Sequence, residues 1–317
     1  GLEGTLATKG SLDGRLVLEA FSLDAIAELF PAEAGGLSGT LDLDLGMEGP
    51  ARSPRIQATF AGERVWLPEV SRWLDIGGMA SGRSGAVELA LDIGVAGTPL
   101  ARVAGVVPID LSLTSPGVVA DGDVNMTVVV TPGPLERLAW LSADAPDLPT
   151  GQLSLSATLR GPVRNPDVSV AGVAQMDVVG WQDRGRVEFH LDRRGSSLDG
   201  WAHLREGLAD RIQLTGTAST RVQEVFSYLL GEADALDFGD YTIYADDLAT
   251  SIALIKVPAD RLTAVAGAPL GLRGDLVGKW SVRGSPYTPT VAGRTYWLDA
   301  QIGEQIVESA HLSVVSS

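Results

Sequence analysis

Few side chains in this chain are equipped for chemistry: there are three histidines, His190, His203 and His311, and no cysteine. No histidine pair stands at an H-x-x-x-H or comparable ligand spacing, so no metal centre is expected. His190 lies two residues from Asp192 in an alternating stretch, which puts both on one face of a strand. An imidazole beside a carboxylate is half of an acid-base device, but no nucleophile motif accompanies it, and surface or strand-edge roles are expected. The carboxylates of Glu232, Asp234, Asp237, Asp240, Asp246 and Asp247 lack the D-x-D-x-D-G frame of a calcium loop and read as a solvated patch. Gly35-Gly36 and Gly77-Gly78 are not followed by Lys-Ser/Thr, so they are turns rather than phosphate cradles. The expectation is a protein that is not an enzyme and that uses no cofactor and no metal.

What remains is a scaffold. Of 317 residues 45% are apolar and only 6% aromatic, with Gly 38 and Pro 17, a mixture suited to many short strands joined by tight turns. The formal net charge of −16 repels phosphate backbones and argues against nucleic acid as a partner. Without cysteine there is no disulfide framework or thiolate site. No stretch approaches the roughly 18 uninterrupted apolar residues of a membrane-spanning helix. The chain opens at Gly1 with no basic, apolar leader, and an internal piece of something longer is the expectation.

The elements that carry the apolar residues repeat. Residues 39–54 read GTLDLDLGMEGPARSP, with Leu41, Leu43, Leu45 and Met47 alternating against Asp42, Asp44 and Glu48 until Gly49-Pro50 and Pro54. Residues 151–166, GQLSLSATLRGPVRNP, keep the frame with Leu153, Leu155, Leu159, Gly161, Pro162 and Pro166. Residues 274–289, GDLVGKWSVRGSPYTP, keep it more loosely with Leu276, Trp280, Val282, Gly284 and Pro289. Ahead of each copy, helical spacing recurs at Leu23, Ile26, Leu29 and Phe30, at Leu135, Leu138 and Leu141, and more weakly at Leu262 and Val265. A unit is thus a short amphipathic helix followed by several strands, roughly 110 to 120 residues and far longer than common solenoid repeats. The expected organisation is a first unit over 1–133 (helix 23–30, strands from 39), a second over 134–257 (helix 135–141, strands from 151, irregular connector 221–249), and the start of a third over 258–317.

The segment LEAFSLDAIAELFPAEAGGLSGTLDLDLGMEGPARSPRIQATF, from Leu18 to Phe60, resembles the TamB and AsmA-like family of Gram-negative envelope proteins. That family sets a leucine-patterned helix before a G-x-L-x-L-x-L-x-G strand and a turn with two spaced prolines. The match recurs from Leu135 to Val170 and, degraded, between Arg261 and Gly293, where Ser285 replaces a proline. VVPIDLSL, from Val106 to Leu113, is similar to the proline-bearing strand that closes units in such proteins. The resemblance implies a mostly β, elongated, repetitive sheet curled into a U-shaped trough, a β-taco or open β-solenoid with a short amphipathic helix heading each unit. It implies a place in the periplasm, with an inner-membrane anchor outside this sequence. It also implies phospholipid transport to the outer membrane, or outer-membrane protein assembly with a barrel partner of the TamA type.

Elementary physics leads the same way. Alternating strands need an apolar cover, yet each unit offers one short helix for many strands, so part of the apolar face is left for an apolar ligand. At about 0.8 kcal/mol per methylene, an acyl chain of roughly 16 carbons meets a barrier of about 12 kcal/mol on crossing water. A continuous groove removes most of it. The residues expected to line such a groove against phospholipid acyl chains are Leu41, Leu43, Leu45, Met47, Leu153, Leu155, Leu159, Leu276, Trp280 and Val282. The seven tryptophans, Trp66, Trp73, Trp140, Trp181, Trp201, Trp280 and Trp297, could line a lipid path or its rim, but most read as packing anchors, the exception being Trp280 at the frame position of Leu45. The rival expectation is a structural or adhesin-like β-solenoid whose core is sealed and takes no ligand.

Overall fold

A computed structural model describes residues 2–7, 11–25, 38–67, 72–112, 117–119, 121–135, 150–177, 183–219, 248–261, 271–285, 288–307 and 310–316. They form one large antiparallel sheet. Its strands are β1 (Leu2–Ala7), β2 (Ser11–Ser22), β3 (Ser38–Pro50), β4 (Arg55–Leu67), β5 (Arg72–Arg83), β6 (Ala86–Val95) and β7 (Thr98–Val107). A side hairpin of β8 (Ile109–Asp110) and β9 (Gly117–Val118) intervenes before β10 (Asp123–Pro134). The sheet continues through β11 (Gly151–Pro162), β12 (Asp167–Met176), β13 (Gly185–Arg194), β14 (Ser197–Glu206), β15 (Ala209–Ser219) and β16 (Leu248–Pro258). It ends with β17 (Leu272–Gly284), β18 (Thr290–Ile302), β19 (Gln305–Ile306) and β20 (Ala310–Val315).

Each strand pairs with the next in sequence, and β7 pairs directly with β10 across the side hairpin. β19 and β20 follow a single register against β18, joined by the amide of Val307 donating to Ala300 O at 2.8 Å. Among the described residues β1 pairs only with β2 and β20 only with β18, so the sheet stays open instead of closing into a barrel.

The repeats read in the sequence fall on β3, β11 and β17, each six sheet positions from the last: β3 to β7 and β10, then β11 to β16. All three end in the same tight turn. The amide of Ser53 donates to Pro50 O at 2.9 Å, that of Asn165 to Pro162 O at 2.9 Å, and that of Thr288 to Ser285 O at 3.1 Å. Before each turn a glycine takes a left-handed φ: Gly49 at 97°, Gly161 at 97° and Gly284 at 93°. Ser285 therefore builds the turn that Pro50 and Pro162 build.

Three expectations need correction. The amphipathic helices are not supported among the described residues, where helical geometry is limited to Asp24–Ala25, Leu135 and Ala259–Arg261. The rest of 23–30 and 135–141, with Leu262 and Val265, lies outside the described residues. Of the connector 221–249, residues 221–247 lie outside them too, but Leu248 and Ala249 already belong to β16, because the alternation Leu248, Thr250, Ile252, Leu254 starts there. VVPIDLSL is not one strand: β7 stops at Val107, since Pro108 has no amide to extend the ladder, and Ile109 turns aside to accept from Gly85 N at 2.8 Å.

Every register break in the sheet falls at one end of the strands, where β3, β11 and β17 begin: Leu18/Phe21, Gly62/Val65, Val130/Gly133 and Leu254/Val257 are examples. Ala20, Arg64, Lys256 and Asp299 take left-handed φ values of 46–51° on these bulged segments. Bulges bend and twist a strand locally, so this rim is shaped differently from the opposite rim of tight turns.

Candidate functional site

Because side chains directly opposite in an antiparallel ladder share a face, the registers assign every strand's two sides. One row runs Phe21, Leu41, Gly62, Ile76, Ile93, Ala101, Val130, Leu155, Gly172, Phe189, Ala202, Leu214, Ile252, Trp280, Gly293, Val314, from β2 to β20. It contains no polar side chain. The neighbouring row on the reverse side runs Asp44, Thr59, Met79, Ala90, Ala104, Thr127, Thr158, Ser169, Asp192, Asp199, Thr217, Ala249 and Arg283, polar except on β5–β7 and at Ala249. One face of the sheet thus carries an apolar row from edge to edge, and the reverse face is predominantly polar outside β5–β7.

All ten residues singled out from the sequence lie on the apolar face. Leu41, Leu43, Leu45 and Met47 project from β3, Leu153, Leu155 and Leu159 from β11, and Leu276, Trp280 and Val282 from β17. They are not neighbours, since six inter-strand steps of about 4.8 Å place successive repeats about 29 Å apart. Leu41, Leu155 and Trp280 belong to the single row above, and the strands between them fill it with further apolar residues. The row meets the first repeat two residues after Gly39, the second four after Gly151 and the third six after Gly274.

Burial on this face is uneven. Fully covered residues gather toward the strand ends: Leu23, Val65, Leu74, Leu100, Leu135 and Val257 at the bulged rim, Pro54, Val87, Val124 and Pro166 at the other. Mid-strand residues stay half-open, as with Leu43, Leu45 and Leu155, and Leu191 and Leu214 are 40% and 38% exposed. Among the described residues no second sheet packs on this face. Aromatic rings on it lie across glycines of the adjacent strand instead of standing up. Phe60 covers Gly78, Phe189 covers Gly172 and Trp280 covers Gly293, where an added Cβ would come within 2.8, 2.4 and 2.4 Å of the ring. Trp280 also donates its indole N–H to Thr295 Oγ1 at 2.8 Å, so its polar atom is satisfied within the face.

Arg193 and Glu206, charged residues on the apolar face, escaped the sequence reading, although both fall in phase with apolar neighbours. Arg193 continues Val187, Phe189 and Leu191, and Glu206 continues Ala202 and Leu204. Each sits at a rim. Arg193 is 5% exposed and donates to Pro166 O and Asn165 Oδ1, both at 2.6 Å, tying β13 to the preceding proline turn; burial pulls its pKa down. Glu206, at the bulged rim, accepts from Arg211 Nη2 at 2.8 Å and faces Arg261 Nη2 at 3.5 Å.

The polar face carries cross-strand ion pairs such as Arg15 with Asp44 and Arg205 with Asp210, whose carboxyls are held below the usual range chiefly by the hydrogen bond from their arginine. His190 Nε2 and Asp192 Oδ2 stand 2.9 Å apart on this face, and Asp192 is lowered first by the Ser169 hydroxyl and then by His190. Trp201 lies here as well, beside His190 and His203, at ring-centroid distances of 6.2 and 4.8 Å. Among the described residues no group of three or more metal-ligating side chains converges.

Compared with known proteins, the chain matches no family model, no curated sequence and no solved structure.

Proposed function

We propose that the chain is a non-catalytic segment of a TamB/AsmA-like protein of the Gram-negative periplasm, held to the inner membrane by a segment outside this sequence. Its sheet curls into a trough whose apolar face shields phospholipid acyl chains. The work served is phospholipid transport to the outer membrane or outer-membrane protein assembly, the latter with a barrel partner of the TamA type. The observation that carries this reading is the uninterrupted apolar row from Phe21 to Val314, half-open in mid-strand and covered at both rims. A smooth, hook-free surface suits chains that slide, since nothing along the row holds one position by hydrogen bonding.

The test pairs a photocrosslinking side chain at Leu45 with the charge variants Leu43→Asp and Leu155→Asp. The expected result is a phospholipid adduct in the parent, loss of more than half of it in the variants, and a thermal midpoint within a few degrees of the parent. In a sealed core the same carboxylate would be buried unpaired and cost several kcal/mol. Unfolding of both variants, or a parent without lipid adduct, overturns the reading in favour of a sealed structural solenoid.

A further inference from the structure

The polar face holds a depression of about 710 Å³ spanning β13 to β17, a width of four inter-strand steps or about 19 Å. Side-chain height shapes it. One wall is Trp201, 37% exposed and flanked by His190 and His203. The floor is low and hydroxylic, made by Thr215 and Thr217 on β15 and Ser251 on β16. The far wall is Lys279 and Arg283 on β17.

The charges are arranged by strand. Lys279 faces Arg294 directly across the β17–β18 ladder, an unfavourable like-charge pairing, and its partner on β16 is Ala253. Arg283 has Thr290 and Ala249 opposite it. Among the described residues no carboxylate pairs with Lys279 or Arg283, in a chain of net charge −16. At the opposite corner Asp192 and Asp199 face each other across β13 and β14. The depression thus has an acceptor-rich end, an aromatic wall, a hydroxyl floor and a cationic end.

We infer that this polar-face depression is a binding site for an acidic saccharide, a chain of sugar rings bearing carboxylates. A sugar ring's C–H face stacks on an indole, its hydroxyls exchange hydrogen bonds with threonine, serine and aspartate, and its carboxylate is drawn to Lys279 and Arg283. A bare anion would use only the cationic end and would be repelled by Asp192 and Asp199. A neutral glycan would leave Lys279 and Arg283 unmatched. The site is on the reverse side from the apolar row and does not depend on it.

Isothermal titration calorimetry on the whole chain tests this with tetragalacturonate and a heparin-derived tetrasaccharide, against maltotetraose and inorganic phosphate. The expected result is saturable binding of at least one acidic tetrasaccharide, at least tenfold tighter than maltotetraose. Lys279→Gln with Arg283→Gln, and separately Trp201→Ala, should each weaken it tenfold or more, with the circular dichroism spectrum unchanged. Trp201→Phe, which keeps an aromatic face, should retain binding within about threefold and stands in if Trp201→Ala does not fold. No binding of either acidic tetrasaccharide overturns the inference. So does binding that Trp201→Ala and Trp201→Phe leave equally intact, or that phosphate or maltotetraose matches, since the first two would mark a diffuse cationic patch and the last a neutral-glycan site.

Discussion

Arg193 shows how a charge is accommodated on an apolar face. Its stem lies among apolar neighbours, and its guanidinium is spent on two acceptors of the preceding turn, the backbone Pro166 O and the side-chain Asn165 Oδ1, where it reaches the rim. Replacing it by methionine keeps the stem and removes both hydrogen bonds. We expect Arg193→Met to lose about 1–3 kcal/mol in chemical denaturation while leaving a lipid adduct at Leu45 unchanged, because the rim, not the mid-strand face, is affected. The phase of Arg193 was legible in the sequence, since it follows Val187, Phe189 and Leu191 at intervals of two. Its partners were not, because Asn165 and Pro166 become neighbours only through the β12–β13 register. Trp280 divides the same way: its side of the strand could be read from the repeat, while its bond to Thr295 needed the adjacent strand.

At the scale of elements, alternation proved a reliable guide to strands and a poor one to what joins them. β3, β11 and β17 and their turns stand where the Gly-Pro frame put them, because a period of two with one buried side leaves a chain little alternative. Helical spacing of a few leucines carries less information, for so short an apolar run is compatible with several conformations, and most of those stretches lie outside the described residues. Several bulges were invisible in sequence, their left-handed positions being occupied by Ala20, Arg64, Lys256 and Asp299, whereas Gly39 and Gly274, which head two of the repeats, sit in bulges at φ 123° and 105°. The pairing of rings with glycines was likewise hidden, and it gives a sharp test. Gly172→Val places a side chain where the Phe189 ring lies, 2.4 Å from the new Cβ, so the ring must swing up from the face. Overpacking of this kind should cost about 1–3 kcal/mol in thermal or chemical unfolding. A photocrosslinker at Leu155, in the same row, should also capture less lipid in this variant than in the parent.

For the molecule as a whole, β1 to β20 occupy seventeen positions across the sheet once β19 and β20 are counted as one interrupted strand, sixteen steps of about 4.8 Å. That is a width near 75 Å. Small-angle scattering should therefore give a radius of gyration well above the roughly 20 Å of a compact chain of this length, with a longest dimension of at least about 75 Å. A value near 20 Å would exclude the extended sheet. That the chain is built of units was readable from three glycine-headed repeats, but how the units are set against each other was not, since register is a property of pairs of strands.

That setting is the two-residue climb of the apolar row from one repeat to the next, about 6.7 Å along the strand for about 29 Å across the sheet. The climb is even. Had it been one residue or three, the alternation would have turned each unit inside out relative to the last, with leucines and aspartates exchanging sides. An even climb makes the unit a tile that can be copied in tandem, each copy inheriting the sidedness of its predecessor at a fixed slant of about 13°. Lengthening by duplication then needs no new invention at the joins, and the tolerance of the third copy for Ser285 and Trp280 is what drift within such a tile looks like.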